Sequence, residues 1–274
     1  MKFGRISAAV VAVTTALGLA ACGGGDTSAG GGGGGSVKIG IKFDQPGLGL
    51  KAGADYTGMD VDLARYIANE LKLGTPEFVE AVSAQRETMI STGQVKYVVG
   101  TYSITDARKQ NVSFAGPYFI AGQDLLVRAD DSSITGVESL GGKKLCSVKG
   151  STSAKNVKDK VPGVNLQEYD TYTLCVDALK SGNVDALTTD DTILAGYAAQ
   201  EANKGKIKVV GKTFSTEKYG VGLKKGDTAF CQQVTDAIKK YVSSGEWQKA
   251  VDKHLGPAGY KPGSGNPPTP DACS

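Results

Sequence analysis

Ser91-Thr92-Gly93-Gln94-Val95 closes a helical pattern and leads into a strand ending at Gly100-Thr101; Lys180-Ser181-Gly182-Asn183-Val184 closes another and leads into a strand ending at Thr189-Asp190. In each copy a glycine stops the helix, a β-branched run follows, and polar residues stand where that run ends. Helix-glycine-strand joints recur in any α/β protein, so the joint alone does not establish a repeat. The polar groups add weight, because ligands of open α/β sheets bind beyond the carboxyl ends of the strands. Two similar halves are implied.

Outward from these joints the chain alternates strands and helices. Val37 to Phe43, Val95 to Thr101, Asp124 to Val127, Lys144 to Val148, Asn165 to Tyr169, Val184 to Thr188 and Ile207 to Gly211 read as strands. Met59 to Leu73 reads as a helix, with Met59, Leu63, Ile67 and Leu71 on one face. Further helices fit Ala84 to Thr92, Thr171 to Lys180, Asp191 to Glu201, Asp227 to Ser243 and Gly245 to His254. Such alternation marks an α/β fold with mostly parallel sheets.

The 274 residues are 40% apolar and 22% charged, with a balance of 31 − 28 = +3. That apolar fraction fills a core and excludes disorder over most of the length; the near-neutral charge argues against a nucleic-acid partner. One long uncharged apolar stretch, Ile6 to Ala21, falls short of the ~20 residues that cross a bilayer. It follows the basic Met1-Lys2-Phe3-Gly4-Arg5 and leads into Leu19-Ala20-Ala21-Cys22, so residues 1–21 read as a signal peptide. The L-A-A-C run resembles a bacterial lipobox. That resemblance implies cleavage before Cys22, lipid on its sulfur, and a place on the extracellular face of the cell membrane; ordinary secretion is the alternative. Residues 22–36 then form the lipidated cysteine and a tether, nine of whose fourteen residues from Gly23 to Ser36 are glycine. A Gly-rich chain of that length holds the folded body ~20 Å from its anchor. Loss of Lys2 and Arg5 leaves 29 − 28 = +1, so charge is not the anchoring force.

Four cysteines remain, Cys146, Cys175, Cys231 and Cys273, an even number in an exported chain, so two disulfides are expected. Of three connectivities the favoured one joins Cys146 to Cys175, within one strand-and-helix stretch, and leaves Cys231 to hold Cys273 in the Pro- and Gly-rich tail. With no CxxC spacing and one histidine, His254, neither metal nor cofactor is expected.

Catalytic groups are scarce: no serine elbow and no HExxH occurs. Instead, charges and hydroxyls stand at strand ends. Thr101, Ser103 and Arg108 follow one strand, Gly150-Ser151-Thr152 another, and Asp190 a third. Arg108 can take an α-carboxylate bidentately, amides and hydroxyls can complete its shell, and Asp190 can accept from an α-ammonium. Each also has an ordinary explanation, Arg108 as a surface charge, Asp190 and Ser151 as helix caps.

At these residues the sequence resembles the extracytoplasmic amino-acid-binding proteins of ABC importers, over Val37 to about Gly256. The shared patterns are Tyr56-Thr57-Gly58-Met59-Asp60-Val61-Asp62-Leu63, Ser103-Ile104-Thr105-Asp106-Ala107-Arg108 with Phe114-Ala115-Gly116-Pro117-Tyr118, Gly150-Ser151-Thr152, and Val184-Asp185-Ala186. The resemblance implies a two-lobed periplasmic-binding-protein-like fold of type II, with two hinge strands and one ligand in the cleft. Lobe one would span 37–120 and 219–260, lobe two 121–218, and a tail 261–274 would follow. Thr101, Ser103, Arg108 and Thr152 would hold the α-carboxylate and main-chain end, and Asp190 the ammonium. Lys42, in Lys42-Phe43-Asp44-Gln45-Pro46-Gly47-Leu48-Gly49, and Arg86 resemble the cations of Gram-positive glutamate-binding lipoproteins. L-glutamate is therefore the implied ligand and a membrane permease the implied partner of a monomer. Aspartate, glutamine or asparagine, and an enzyme or a sensor on the same fold, stand as alternatives.

Overall fold

The computed structural model of the protein describes residues 35–274; the signal peptide 1–21, Cys22 and nearly all of the tether lie outside the described residues. The chain opens with β1 (Ser36–Ile41), whose Val37, Ile39 and Ile41 are buried. Three short strands, β2 (Asp44–Gln45), β3 (Gly49–Ala52) and β4 (Asp55–Thr57), form a small antiparallel sheet. Helix α1 (Met59–Glu70) then buries Met59, Leu63 and Ile67, the stripe its spacing predicts. Next come β5 (Thr75–Glu80), α2 (Arg86–Ser91), β6 (Tyr97–Val98), α3 (Asp106–Lys109) and the ten-residue β7 (Val112–Ala121). One residue, Gly122, separates β7 from β8 (Gln123–Arg128). After β8 follow β9 (Lys144–Val148), α4 (Thr152–Lys160), β10 (Asn165–Tyr169), α5 (Tyr172–Lys180), β11 (Ala186–Asp190), α6 (Asp191–Ala199) and β12 (Ile207–Val209). The chain returns through β13 (Glu217–Lys224) and closes with α7 (Thr228–Ser243) and α8 (Glu246–His254).

Two five-stranded sheets result, ordered β5-β1-β6-β13-β7 and β10-β9-β11-β8-β12, one in each lobe. In both, the first two pairings are parallel and the last two antiparallel. The expectation of mostly parallel sheets is corrected accordingly. The chain leaves the first lobe along β7 and comes back beside its own exit along β13, and a strand returning that way runs antiparallel. The two strands pair from Val112–Lys224 to Ala121–Glu217, with an irregularity between Tyr219 and Val221 opposite the stretch that contains Pro117. Proline donates no ladder hydrogen bond, and such interruptions are where sheets tolerate it.

The sequence echo falls on corresponding strands, since β6 and β11 are each the third and central strand of their sheet. Strand β6 is shorter than its β-branched run, and β11 starts two residues later than its run does, which makes Asp190 its last residue.

Aromatic rings fill the space beside the lobe crossing. Phe119 stacks on Tyr219 and Trp247 with centroids 5.9 and 5.8 Å apart, and Trp247 donates its indole N–H to the Tyr118 carbonyl at 2.8 Å. Disulfides join Cys146 to Cys175 and Cys231 to Cys273. The second pins the tail on the first lobe, where Asp271 bridges to Gly116 and the Phe114 N–H donates to the Ser274 carbonyl.

Candidate ligand site between the lobes

Lys42 follows β1 and is buried, its Nζ donating to Ser83 Oγ at 3.0 Å. A Cβ on Gly49 would stand 2.7 Å from the Lys42 carbonyl, so glycine there lets the small sheet close over the lysine. Arg86, the first residue of α2, is also buried and donates from Nη1 to the Gly100 carbonyl at 2.9 Å. Among the described residues its Nε has no partner. Arg108 lies in α3, capped by the Thr105 hydroxyl. Its Nη1 donates to the Ser103 carbonyl at 2.8 Å and its Nη2 to the Gly150 carbonyl of the second lobe at 3.1 Å. Both guanidinium groups lie over the Tyr102 ring, at 4.0 Å for Arg86 and 4.9 Å for Arg108. The negative ring face favours cations there.

Three buried cations thus share one wall of the first lobe. The one nearby carboxylate in ion-pairing contact is Glu87, 3.4 Å from Arg108 Nε; among the described residues Lys42 and Arg86 have none. Burial draws the Lys42 ammonium down to about 7, and Arg86 beside it adds to the effect. Burial, with Arg86 again second, draws Arg108 down to about 10, so it stays charged at neutral pH.

Thr101 ends the same wall in a left-handed backbone conformation, φ 44°, uncommon for a β-branched residue. Asp60 holds it there, accepting from the Thr101 N–H at 2.9 Å and from the Tyr118 hydroxyl at 2.8 Å. Burial raises the Asp60 carboxyl to about 6. The Thr101 hydroxyl donates to Gln45 Oε1 at 3.1 Å, while the buried Gln45 Nε2 has no partner among the described residues.

The second lobe answers with Asp190. It stands at the N-cap position of α6 but makes no capping bond. Its carboxylate accepts from the Tyr219 hydroxyl at 2.6 Å and from Ser153 Oγ at 3.4 Å. Burial, then Glu217, pushes Asp190 well above the usual carboxylate range, and among the described residues no cation pairs with it. Ser151, by contrast, is a cap: its hydroxyl accepts from the Ala154 N–H at 3.0 Å. Thr152 reaches across the cleft to Ser103, their hydroxyls 3.1 Å apart.

The structure therefore gathers Lys42, Arg86, Thr101 and Arg108 in the first lobe. Ser103 links that group to the second lobe twice, through Thr152 and through its backbone bridge to Tyr219, whose hydroxyl holds Asp190. Lys42 and Asp190 make no direct contact. Gln45, Asp60 and Tyr102 also belong to this wall, and neither their type nor their spacing marks them singly in the sequence. All three lie inside or beside motifs already quoted, and an aromatic between Thr101 and Ser103 was the available sign for the cation platform.

The family model for bacterial extracellular solute-binding proteins, family 3, matches residues 37–257. Glutamate-binding protein GluB of Corynebacterium efficiens is 44% identical over 93% of this chain and 92% of its own length. The ABC transporter glutamine-binding protein GlnH of Bacillus subtilis is 38% identical over 80% of this chain and 81% of its own. A solved ancestral arginine-binding protein bound to glutamine superposes with a TM-score of 0.76 at 33% identity, covering 81% of this chain and 98% of that one.

Proposed function

Because the chain belongs to the bacterial extracellular solute-binding proteins of family 3, binding proteins rather than enzymes, we propose that it captures L-glutamate for an ABC-type importer. One observation carries the reading: three buried cations, Lys42, Arg86 and Arg108, stand on the first lobe, and the second presents the buried Asp190 carboxylate, which no cation contacts among the described residues. A molecule with two carboxylates and one ammonium complements that set. Arg108, with the Thr101, Ser103 and Thr152 hydroxyls, takes the α-carboxylate. Asp190 takes the ammonium, and Lys42 and Arg86 take the distal acid. The 44% identity to a glutamate-binding protein supports this assignment. Ligand atoms are held and released without chemical change, and delivery goes to a membrane permease. The Leu19-Ala20-Ala21-Cys22 run supports a lipid anchor on Cys22. We take the lobes to comprise 37–120 with 219–260, and 121–218.

A micromolar affinity requires ~8 kcal/mol. Spread over the roughly ten heavy atoms of glutamate, that is ~0.8 kcal/mol each, within the range for very small ligands. Such density requires each charge to be paired, because a buried ion left alone costs several kcal/mol. Glutamine, with an amide in place of the distal acid, leaves Lys42 and Arg86 short of an anion. The depressed Lys42 favours glutamine as the second reading, since a lysine near its titration point tolerates a neutral neighbour. Calorimetric titration of the mature protein with each common amino acid distinguishes them. Glutamate is expected to bind at least tenfold more tightly than glutamine; equal affinities defeat the assignment.

A further inference from the structure

A second contact between the lobes uses none of the groups assigned to the ligand. The Asp44 carboxylate accepts from the Tyr172 N–H at 2.8 Å and the Thr173 N–H at 3.4 Å, the first amides of α5 in the other lobe. The Tyr197 hydroxyl, from α6, donates to the Asp44 carbonyl and lies 3.3 Å from its Oδ2. A negative group is favourable at a helix N-terminus, where amides lack intrahelical partners. Two residues on, the Pro46 carbonyl seats against α6 at Gly196, where a built Cβ would stand 2.1 Å from that oxygen.

Gly196 lies inside α6, in ordinary helical backbone rather than at a positive φ. Glycine is second only to proline as a poor helix residue, so nothing within the second lobe calls for it. The approach of Pro46 does.

We propose that Asp44 and Gly196 form a closure clasp: the Asp44 carboxylate on the first turn of α5, and the Pro46 carbonyl in the space Gly196 leaves, set the closed population and thereby the affinity. Both are positioning residues that touch no ligand atom. A ligand that needs the closed form binds with an apparent affinity reduced by the fraction of molecules able to close. The affinity arm rests on the proposed glutamate reading; the ligand-free arm does not.

Gly196→Ala is the decisive variant, because alanine favours α6 and meets an obstacle only when the lobes meet. Small-angle X-ray scattering of the mature protein without ligand and with saturating glutamate is compared with calorimetric affinity and with the ligand-free melting temperature. The expected result is a larger radius of gyration for Gly196→Ala than for wild type in at least one ligand state, or glutamate affinity at least tenfold weaker. The ligand-free melting temperature is equal or higher. Asp44→Asn keeps the shape and removes the charge, with an expected three- to tenfold loss. Scattering curves that coincide in both states, with unchanged affinity in both variants, overturn the clasp. If glutamate does not bind wild type, the ligand-free scattering alone decides.

Discussion

The two lobes share a strand order, a sequence of parallel and antiparallel pairings and a helix-glycine-strand joint before the central strand, yet those central strands end in opposite chemistry. Beyond β6 stand Thr101, Ser103 and Arg108, on a wall that also holds Lys42 and Arg86. At the end of β11 stands Asp190 with hydroxyls around it. One architecture was used twice and charged differently. Concentrating cations in one lobe has a cost, visible in the way burial first, and Arg86 second, depress both Lys42 and Arg108. In the proposed complex a guest anion relieves that cost, and a guest cation relieves the buried Asp190, which Glu217 and Asp191 also push up. Where the lobes touch directly, a hydroxyl pair, Ser103 with Thr152, stands beside two charged contacts, Arg108 on the Gly150 carbonyl and Asp44 on the first amides of α5.

The comparison breaks most easily at Arg108, the one of the three wall cations that bonds to both lobes among the described residues. Arg108→Ala should abolish calorimetric binding of glutamate and glutamine alike, a loss of roughly 3–5 kcal/mol, or hundreds- to thousands-fold. Retained binding of either would remove Arg108 from the shared carboxylate position. Asp190→Asn tests the opposite lobe. Affinity for amino acids should fall by ~2–4 kcal/mol, whereas glutarate, which lacks the ammonium, should lose nothing. An equal loss for both would mean that Asp190 shapes the cleft without reading the amine.

Within the cationic wall, Arg86→Ala should weaken glutamate by ~1.5–3 kcal/mol and glutamine by less than threefold, as charged hydrogen bonds require. Equal effects on the two would move Arg86 to a structural role beside Tyr102. The smallest effect is a pH dependence. Unliganded Lys42, drawn to about 7, holds fewer protons above that pH than the complex, in which a carboxylate keeps it charged. Binding then takes up a proton, so affinity should fall above pH 7 by up to about tenfold per unit. Arg86, Asp44, Glu80 and Arg108 surround the lysine and set that window. Asp190 contributes the opposite sign, releasing a proton when it meets an ammonium, so the diagnostic quantity is the slope lost in Lys42→Gln. An unchanged slope in that variant would take Lys42 out of the linkage.

Long periodic elements were readable from residues alone. Lys144–Val148 and Asn165–Tyr169 form strands over the spans expected, and α5 to α8 lie within one or two residues of their patterns. The hidden elements have separate causes. Strand β7 is interrupted by Gly116-Pro117 and buried on nearly every residue, so neither alternation nor composition marks it. Strand β5 carries Pro76, acceptable because the strand lies at the sheet edge, a position only the assembled sheet reveals. Strands β2 to β4 are too short to show any period. At the site, the charged residues announced themselves by type. Gln45 and Asp60 did not, because their roles depend on Thr101 lying 56 and 41 positions away in sequence and within hydrogen-bond reach in space.

Residue order by itself determined the alternation of strand and helix, the glycine that ends each joint and the stock of charges, since these follow from local backbone preference and side-chain chemistry. Only the tertiary structure decided that three cations share one desolvated wall, that Asp190 lies in the facing lobe with no cation in contact among the described residues, and that Pro46 needs the space at Gly196. Those are consequences of folding distant segments together, and burial turns an ordinary surface charge into one that needs a partner.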